Sequence, residues 1–526
     1  MSNRNLIFHT EAVDGFGRQP LFLYICAWFT LGSMKNFVIT ALFSLSLIGC
    51  GFRNGTIEQE AQSYTLRQID SHAERMKRRI LNAPSCPKPQ GQIYYFSAQG
   101  DDANDGLSPE APLRSIAKLN TLELKPTDGV LFRRGDTFRG KIATREGVTY
   151  SAYGEGEKPR IYGSPFDAAK EGEWLPTPTP NVYMYSRELA DDVGTLVMNH
   201  SEANAIKILK VYHADGTTTN VYTNEPFSGG CDLKRDLDFY HDYQDAKRLY
   251  LCSTQGNPQE RFHSIELLTK GNIISATHNV HIDNLCIMYG GSHGIGSGTT
   301  RSLKVTSCVV GWIGGSMLLP ASFTGSRDAR YGNGIEIYGG CGEFVVDNCY
   351  IYECYDAGIT NQNQDDVSDS SLSMRNISFT NNLVERCEMS IEYYLGAQNK
   401  TTESCMENFL IEDNILREAG YGWGTQHPEP AWGSHLKSWW MHYNQAYNFA
   451  IRNNIFDRSD AFLITVVAGK QEWLPEMEGN VYVQYLDADG GRIGQPWGDY
   501  KFDSEFAANV ERALGEKEGK YIFIEK

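Results

Sequence analysis

Six segments of this chain lie over one another without a gap: VHIDNLCI, LKVTSCVV, FVVDNCYI, ISFTNNLV, FLIEDNIL and FAIRNNIF. Their fifth residues, Asn284, Ser307, Asn348, Asn381, Asp413 and Asn453, serve as anchors. Apolar residues stand four and two positions before each anchor (Phe344 and Val346, Ile377 and Phe379), and the residue just before it is always polar. This is period-two alternation running into a turn. An apolar column follows at three positions past the anchor (Ile287, Val310, Ile351, Val384, Leu416, Phe456), and a mostly small one at six (Gly290, Ile313, Cys354, Cys387, Ala419, Ser459). The anchor spacings are 23, 41, 33, 32 and 40 residues. Strands of fixed length joined by elastic loops are how a solenoid is written. Asn tolerates the left-handed conformation of a tight turn, and stacked amides can bond from coil to coil. Asn348 and Asn381 are therefore expected as buried ladder residues. A β-sandwich or a propeller fits six in-register copies poorly.

On these repeats the chain resembles the pectin-lyase-like right-handed parallel β-helix, with its Asn ladder between the second and third sheets. The opening from Ile93, IYYFSAQGDDANDGLSPEAPLRSIAKLN, is similar to the start of exported β-helix proteins, where a strand, a loop and a short helix cap the solenoid. Residues 165–270 read as a β-rich insertion, loosely similar to a stretch of the β-helical glycosidases of the α-L-fucosidase and xylanase type. The expected order is a cap with first coils over 92–164, that insertion, a β-helix core over 271–467, and a C-terminal cap over 468–526. The fold class is all-β.

Ahead of the body, Lys35 precedes an apolar run from Phe37 to Ile48, the form of an export signal, and too short for a membrane span. Leu47-Ile48-Gly49-Cys50 resembles the lipobox of bacterial lipoproteins, which implies lipidation of Cys50 and a lipid anchor in the outer membrane as the only membrane association. Residues 1–33 then form an upstream extension, 34–50 the signal peptide, and 51–91 a helical tether and linker. The 12 cysteines show no zinc spacing, and most fall on repeat positions suited to small buried side chains. Buried reduced thiols are expected although the exported location permits disulfides.

In the resembling fold the cleft lies on the first sheet, whose strands precede each repeat: HGIGSG, NGIEIYG, AGITNQ and MSIEYYL. With Ile295, Ile335, Ile359 and Ile391 facing inward, the outward neighbours are Gly296, Glu336, Thr360 and Glu392. The next outward column is Gly298, Tyr338, Gln362 and Tyr394, and Asp356 and Glu388 stand at strand entries. Two rungs separate Glu336 from Glu392, roughly 10 Å between backbones. Side-chain lean brings the carboxyls toward the ~6.5–9.5 Å of inverting glycosidases. Asp356, on the intervening rung, would tune one of them. Solvated outward acids are the bland alternative. The insertion from Tyr421 to Tyr443 holds four Trp and three His, so His427, Trp432 and His435 are expected to contact substrate. Arg330, in the insertion Gly314 to Gly332, is expected to meet a substrate carboxylate. His293 reads as structural.

Lys and Arg total 48 against 65 Asp and Glu, a formal charge of −17. Without a basic stripe, nucleic acid is not an expected partner, and a strongly anionic glycan would need a local cationic patch. The expectation is a glycoside hydrolase using Glu336, Glu392 and Asp356 on an oligosaccharide or polysaccharide, with Tyr338, Tyr394 and Gln362 orienting the sugar. It requires no cofactor. The acidic loop Asp101 to Gly106 leaves calcium open beside its reading as a capping turn. The alternatives are a polysaccharide lyase, with Lys437, His435 and Arg330 as its players, and a non-catalytic glycan-binding lipoprotein.

Overall fold

A computed structural model describes residues 54–85, 89–363, 373–396, 405–428, 432–439 and 444–525. The unit Gln62–Lys526 contains the whole solenoid. Cys50 and residues 34–50, expected to be an export signal, lie outside the described residues. The chain winds into three stacked sheets of ten strands each, parallel throughout except for the antiparallel edge strand Trp497–Lys501: a right-handed parallel β-helix of the pectin-lyase-like type. The second sheet is built of the strands that lead into the anchors, such as Phe344–Asp347 and Met374–Thr380, in the register of the aligned repeats. The third takes the strands after the anchor, such as Tyr350–Cys354. The first takes Ile295–Ser297, Ile335–Tyr338, Ala357–Asn363, Met389–Leu395, Ser434–Lys437, Ile464–Val467 and Asp489–Gly494. Inward Ile, Val, Phe and Cys side chains of all three sheets form one continuous core.

All six anchors have positive φ, from 51° at Ser307 to 59° at Asn284. The ladder, however, stands one residue later than expected. Asn348 and Asn381 are half-buried, because the left-handed turn aims their side chains off the core. There Asn348 Nδ2 donates to Ser307 Oγ at 2.9 Å and Asn381 Nδ2 to Asp347 Oδ1 at 2.9 Å. The next residues point inward: Asn382 Nδ2 donates to Asn414 Oδ1, Asn414 Nδ2 to Asn454 Oδ1, and Asn454 Nδ2 to Asn480 Oδ1, at 3.0, 2.9 and 3.1 Å. Each amide also donates to a second-sheet carbonyl, such as Asn414 Nδ2 to Phe379 O at 2.8 Å. Cys308 and Cys349 hold the same position in earlier coils, buried and unbridged. Five residues past each anchor lies a second left-handed turn, at Tyr289, Trp312, Glu353, Arg386, Glu418 and Arg458. These residue types carry no turn signal. Each left-handed residue costs roughly 1–2 kcal/mol, offset by the stacked coil around it.

The strands of 165–270 stay outside the three large sheets, as an insertion should. The solenoid runs past residue 467, since Glu476–Glu478, Val481–Tyr485 and Asp489–Gly494 extend all three sheets by another coil. The helix Asn54–Leu81 is docked from its middle onward and is no free tether. Ala73, Met76 and Ile80 pack on Val309, Tyr350, Leu383 and Ile415 of the third sheet. In the Asp101 to Gly106 loop, Asp102 Oδ1 accepts from the backbone of Arg114 and Ser115 at 2.9 Å, the work of a capping turn. Among the described residues no group of three or more His, Cys, Asp or Glu is arranged to hold a metal ion.

Candidate active site

The outward column of the first sheet runs Gly296, Glu336, Thr360, Glu392 in unbroken parallel register. The alternation of each strand puts Ile335, Ile359 and Ile391 in the core and these four on the opposite face. Gly298 leaves open space beside them, whereas the room at Gly296 is filled by the Asn272 amide.

Glu392 is 4% exposed. Its Oε2 accepts from Thr360 Oγ1 at 2.9 Å and Gln362 Nε2 at 2.5 Å, and its Oε1 from Trp439 Nε1 at 2.5 Å. Burial pushes its carboxyl up to about 7, against the pull of those donors and with help from the Asp356 charge. Glu336 is held differently. Its Oε2 accepts from Asn333 Nδ2 and lies 3.0 Å from His293 Nδ1, which itself accepts from the Asn333 backbone N–H at 3.1 Å. Asn333 is fixed in turn, accepting from the Ala357 backbone at 2.8 Å. His293, structural by its sequence position, is thus a partner of a buried first-sheet carboxyl.

Asp356 Oδ2 accepts from the Gly332 backbone at 2.7 Å, and Oδ1 lies 3.0 Å from His427 Nε2. The His427 ring stacks on Tyr355, centroids 4.0 Å apart. Glu388, at the next strand entry after Asp356, is 2% exposed. Its Oε1 accepts from the Trp432 backbone at 3.2 Å, and its Oε2 has no hydrogen-bond partner among the described residues. Burial lifts this carboxyl to about 7, opposed by His427 and aided by Asp460. Trp432 and Trp439 meet edge to face at 5.7 Å, forming an aromatic wall over Glu392.

The remaining expected contacts divide. Tyr338 is 46% exposed. Tyr394 is buried and donates to Gln362 Oε1 at 2.9 Å, so it orients Gln362 from below. Two expectations are corrected. Arg330 donates to Gly315 O at 2.7 Å and Gly194 O at 3.0 Å, and its guanidinium lies 4.3 Å from the Tyr355 ring centre. It ties its own loop to the 165–270 insertion and lies on Tyr355 of the solenoid, with its donors spent on backbone carbonyls. His435 is fully buried, with Nδ1 3.0 Å from Ser390 Oγ and Nε2 3.0 Å from Arg458 O; burial drives it down to about 4. It is a neutral core residue. Trp423 is likewise packing, its indole donating to Glu353 O. Glu429, Trp440 and His442 of the same insertion lie outside the described residues.

Part of that insertion is itself a first-sheet strand, Ser434–Lys437, which puts Lys437 in the outward column next to Glu392. The repeat pattern places no basic residue on these strands, because the 40-residue anchor spacing hides where the strand resumes.

No protein-family model matches this sequence. Over 164 residues, 28% of this chain, it is 30% identical to a lacto-N-biosidase of Bifidobacterium longum subsp. longum, and the matched stretch is 10% of that relative's length. Among solved structures, one described as a glycoside hydrolase is similar with a TM-score of 0.46 at 8% identity, covering 83% of this chain and 96% of that one. A GH136 lacto-N-biosidase from Eubacterium ramulus is similar with a TM-score of 0.35 at 13% identity, covering 76% of this chain and 57% of that one.

Proposed function

We propose that this protein is a glycoside hydrolase in which Glu392 is the general acid and Glu336 the general base. The observation that carries the reading is the column Glu336–Thr360–Glu392. Two carboxyls stand two rungs apart with a short hydroxyl residue between them, one buried and held up to about 7, the other beside an imidazole. Different environments for two carboxyls supply an acid and a base at one pH. A glycosidic bond over Thr360 would take its proton from Glu392 as the anomeric C–O bond breaks. Glu336 would draw a proton from the attacking water. The spacing favours inversion at the anomeric carbon. Burial keeps the Glu392 proton on, with the Asp356 charge adding to it, and Trp432 and Tyr338 offer faces for sugar rings.

The relative's name makes glycans that contain lacto-N-biose the first substrates to try, followed by plant and host oligosaccharides, each with and without EDTA. Hydrolysis that survives EDTA and is lost in Glu392→Gln supports the reading. Hydrolysis by a folded Glu392→Gln at the parent rate sinks it. A lyase is the second reading, favoured by Lys437 in the column: burial brings its ammonium down to about 8, so a free amine is accessible as a base. Products bearing an unsaturated uronate would decide for it. The reading includes export and a lipid anchor at Cys50 in the bacterial outer membrane.

A further inference from the structure

The outward column of the first sheet changes sign along its length. Past Glu392 it continues, rung by rung, through Lys437, Thr465 and Arg492. Lys437 is 8% exposed, and its ammonium lies 4.6 Å from the centre of the Trp439 ring. Among the described residues it pairs with no carboxylate. Thr465 is 2% exposed, and its hydroxyl has no hydrogen-bond partner among the described residues. Arg492 is engaged by Asp499 through two bonds of 2.7 Å and flanks the pair.

An ammonium held by an indole face with no carboxylate in ion-pair contact, and a buried hydroxyl without a partner among the described residues, each leave desolvation only partly offset. An anion supplied by a ligand would relieve both. The chain's net charge of −17 repels anions, so one can be held only where a local cation offsets the field. We infer that Lys437 and Thr465 bind the anionic substituent, a carboxylate or a sulfate ester, of a sugar residue lying next to the bond cleaved over Thr360. This rests on the hydrolase reading and names its substrate class as acidic glycans.

The charges facing Lys437 are the Glu392, Glu388 and Asp460 carboxyls and the Arg492 guanidinium. Burial keeps Glu392 and Glu388 protonated up to about 7, so below neutrality they do not oppose the anion. Anion binding should fade as pH rises past that point and Lys437 then loses its proton near 8.

The test is calorimetric titration of the full chain below neutrality with glucose, glucuronate and a sulfated glucose. Wild type should bind at least one of the two acids about tenfold more tightly than glucose, about 1.4 kcal/mol. The acid preferred tells a carboxylate site from a sulfate site. Lys437→Met should abolish the preference, Lys437→Arg should keep part of it, and Thr465→Val should reduce it severalfold. Equal binding of all three sugars, no binding of either acid, or a folded Lys437→Met that keeps the preference would overturn the inference. If Lys437→Met does not fold, Thr465→Val decides, and an unchanged preference there refutes the site. Hydrolysis lost in Glu392→Gln but indifferent to acidic groups would remove this site alone. An unsaturated uronate product would remove the hydrolase reading and reassign Lys437 as the base.

Discussion

The Thr360 hydroxyl donates to Glu392 Oε2 at 2.9 Å while its backbone stands in register with Glu336 on the other side. One short residue therefore separates and orients the two carboxyls on which the proposed chemistry depends. Glu336→Gln and Glu392→Gln are each expected to lower kcat by about a hundredfold or more with the melting temperature little changed. The measurement is turnover on a substrate the parent cleaves. Thr360→Val should lower kcat less than either, through loss of one donor to Glu392.

The activity should fall on the alkaline side. Burial raises Glu392 to about 7, so its proton is present below that value and lost above it. A kcat profile measured from acid to mildly alkaline pH should decline through roughly neutral pH. Asp356→Asn should move that decline to lower pH, since the Asp356 charge helps hold the proton on Glu392. A decline that stays in place would remove Asp356 from the mechanism.

The same acid and its buried neighbour Glu388 link stability to pH. Glu388 and Glu392 bind their protons more tightly folded, at about 7, than at the ordinary 4.5. Between those values the folded state holds more protons than the unfolded one, so stability falls as pH rises. The contribution is fully present below about 4.5 and is lost as pH rises through about 7. Thermal melting across this window should show a decline that flattens in Glu388→Gln with Glu392→Gln.

The buried amide ladder should dominate local stability. Asn414 bridges three coils by accepting from Asn382 and donating to Asn454 and to Phe379 O. Asn414→Leu leaves those partners unsatisfied and is expected to cost several kcal/mol, at about 1–3 kcal/mol per orphaned group. Asn381→Leu, at the half-buried anchor, should cost less, chiefly through its left-handed φ of 56°. Denaturant unfolding of both variants ranks them, and equal losses would contradict the ladder's placement.

Burial lifts the Cys341 thiol to about 12, and Cys349, Cys354 and Cys387 sit in the same core. Thiols without thiolate character are inert. Alkylation of the denatured, unreduced protein should label all four, read by mass spectrometry; any pair found cross-linked refutes this.

The sequence by itself determined the solenoid and its register. Repeated alternation fixes which residues face the core, and the inward Ile column makes Glu336, Thr360 and Glu392 neighbours on the other face without further information. Tertiary structure decided what sequence spacing cannot carry. The ladder fell on Asn382 and Asn414, because a left-handed turn rotates the anchor off the core and the next residue into it. Adjacent Asn in repeats such as ISFTNNLV look alike until the backbone separates them. Arg330 and His435 read as ligand contacts by residue type, yet Arg330 is consumed by carbonyls 15 and 136 residues away, and His435 by a corner of the core. The loops that bring Trp439 and Lys437 to Glu392 vary in length from coil to coil, so no period announces them. A parallel stack makes the strand register a local property of the chain. The loops between coils are placed only by what they pack against, and so is the protonation state of each carboxyl they bury.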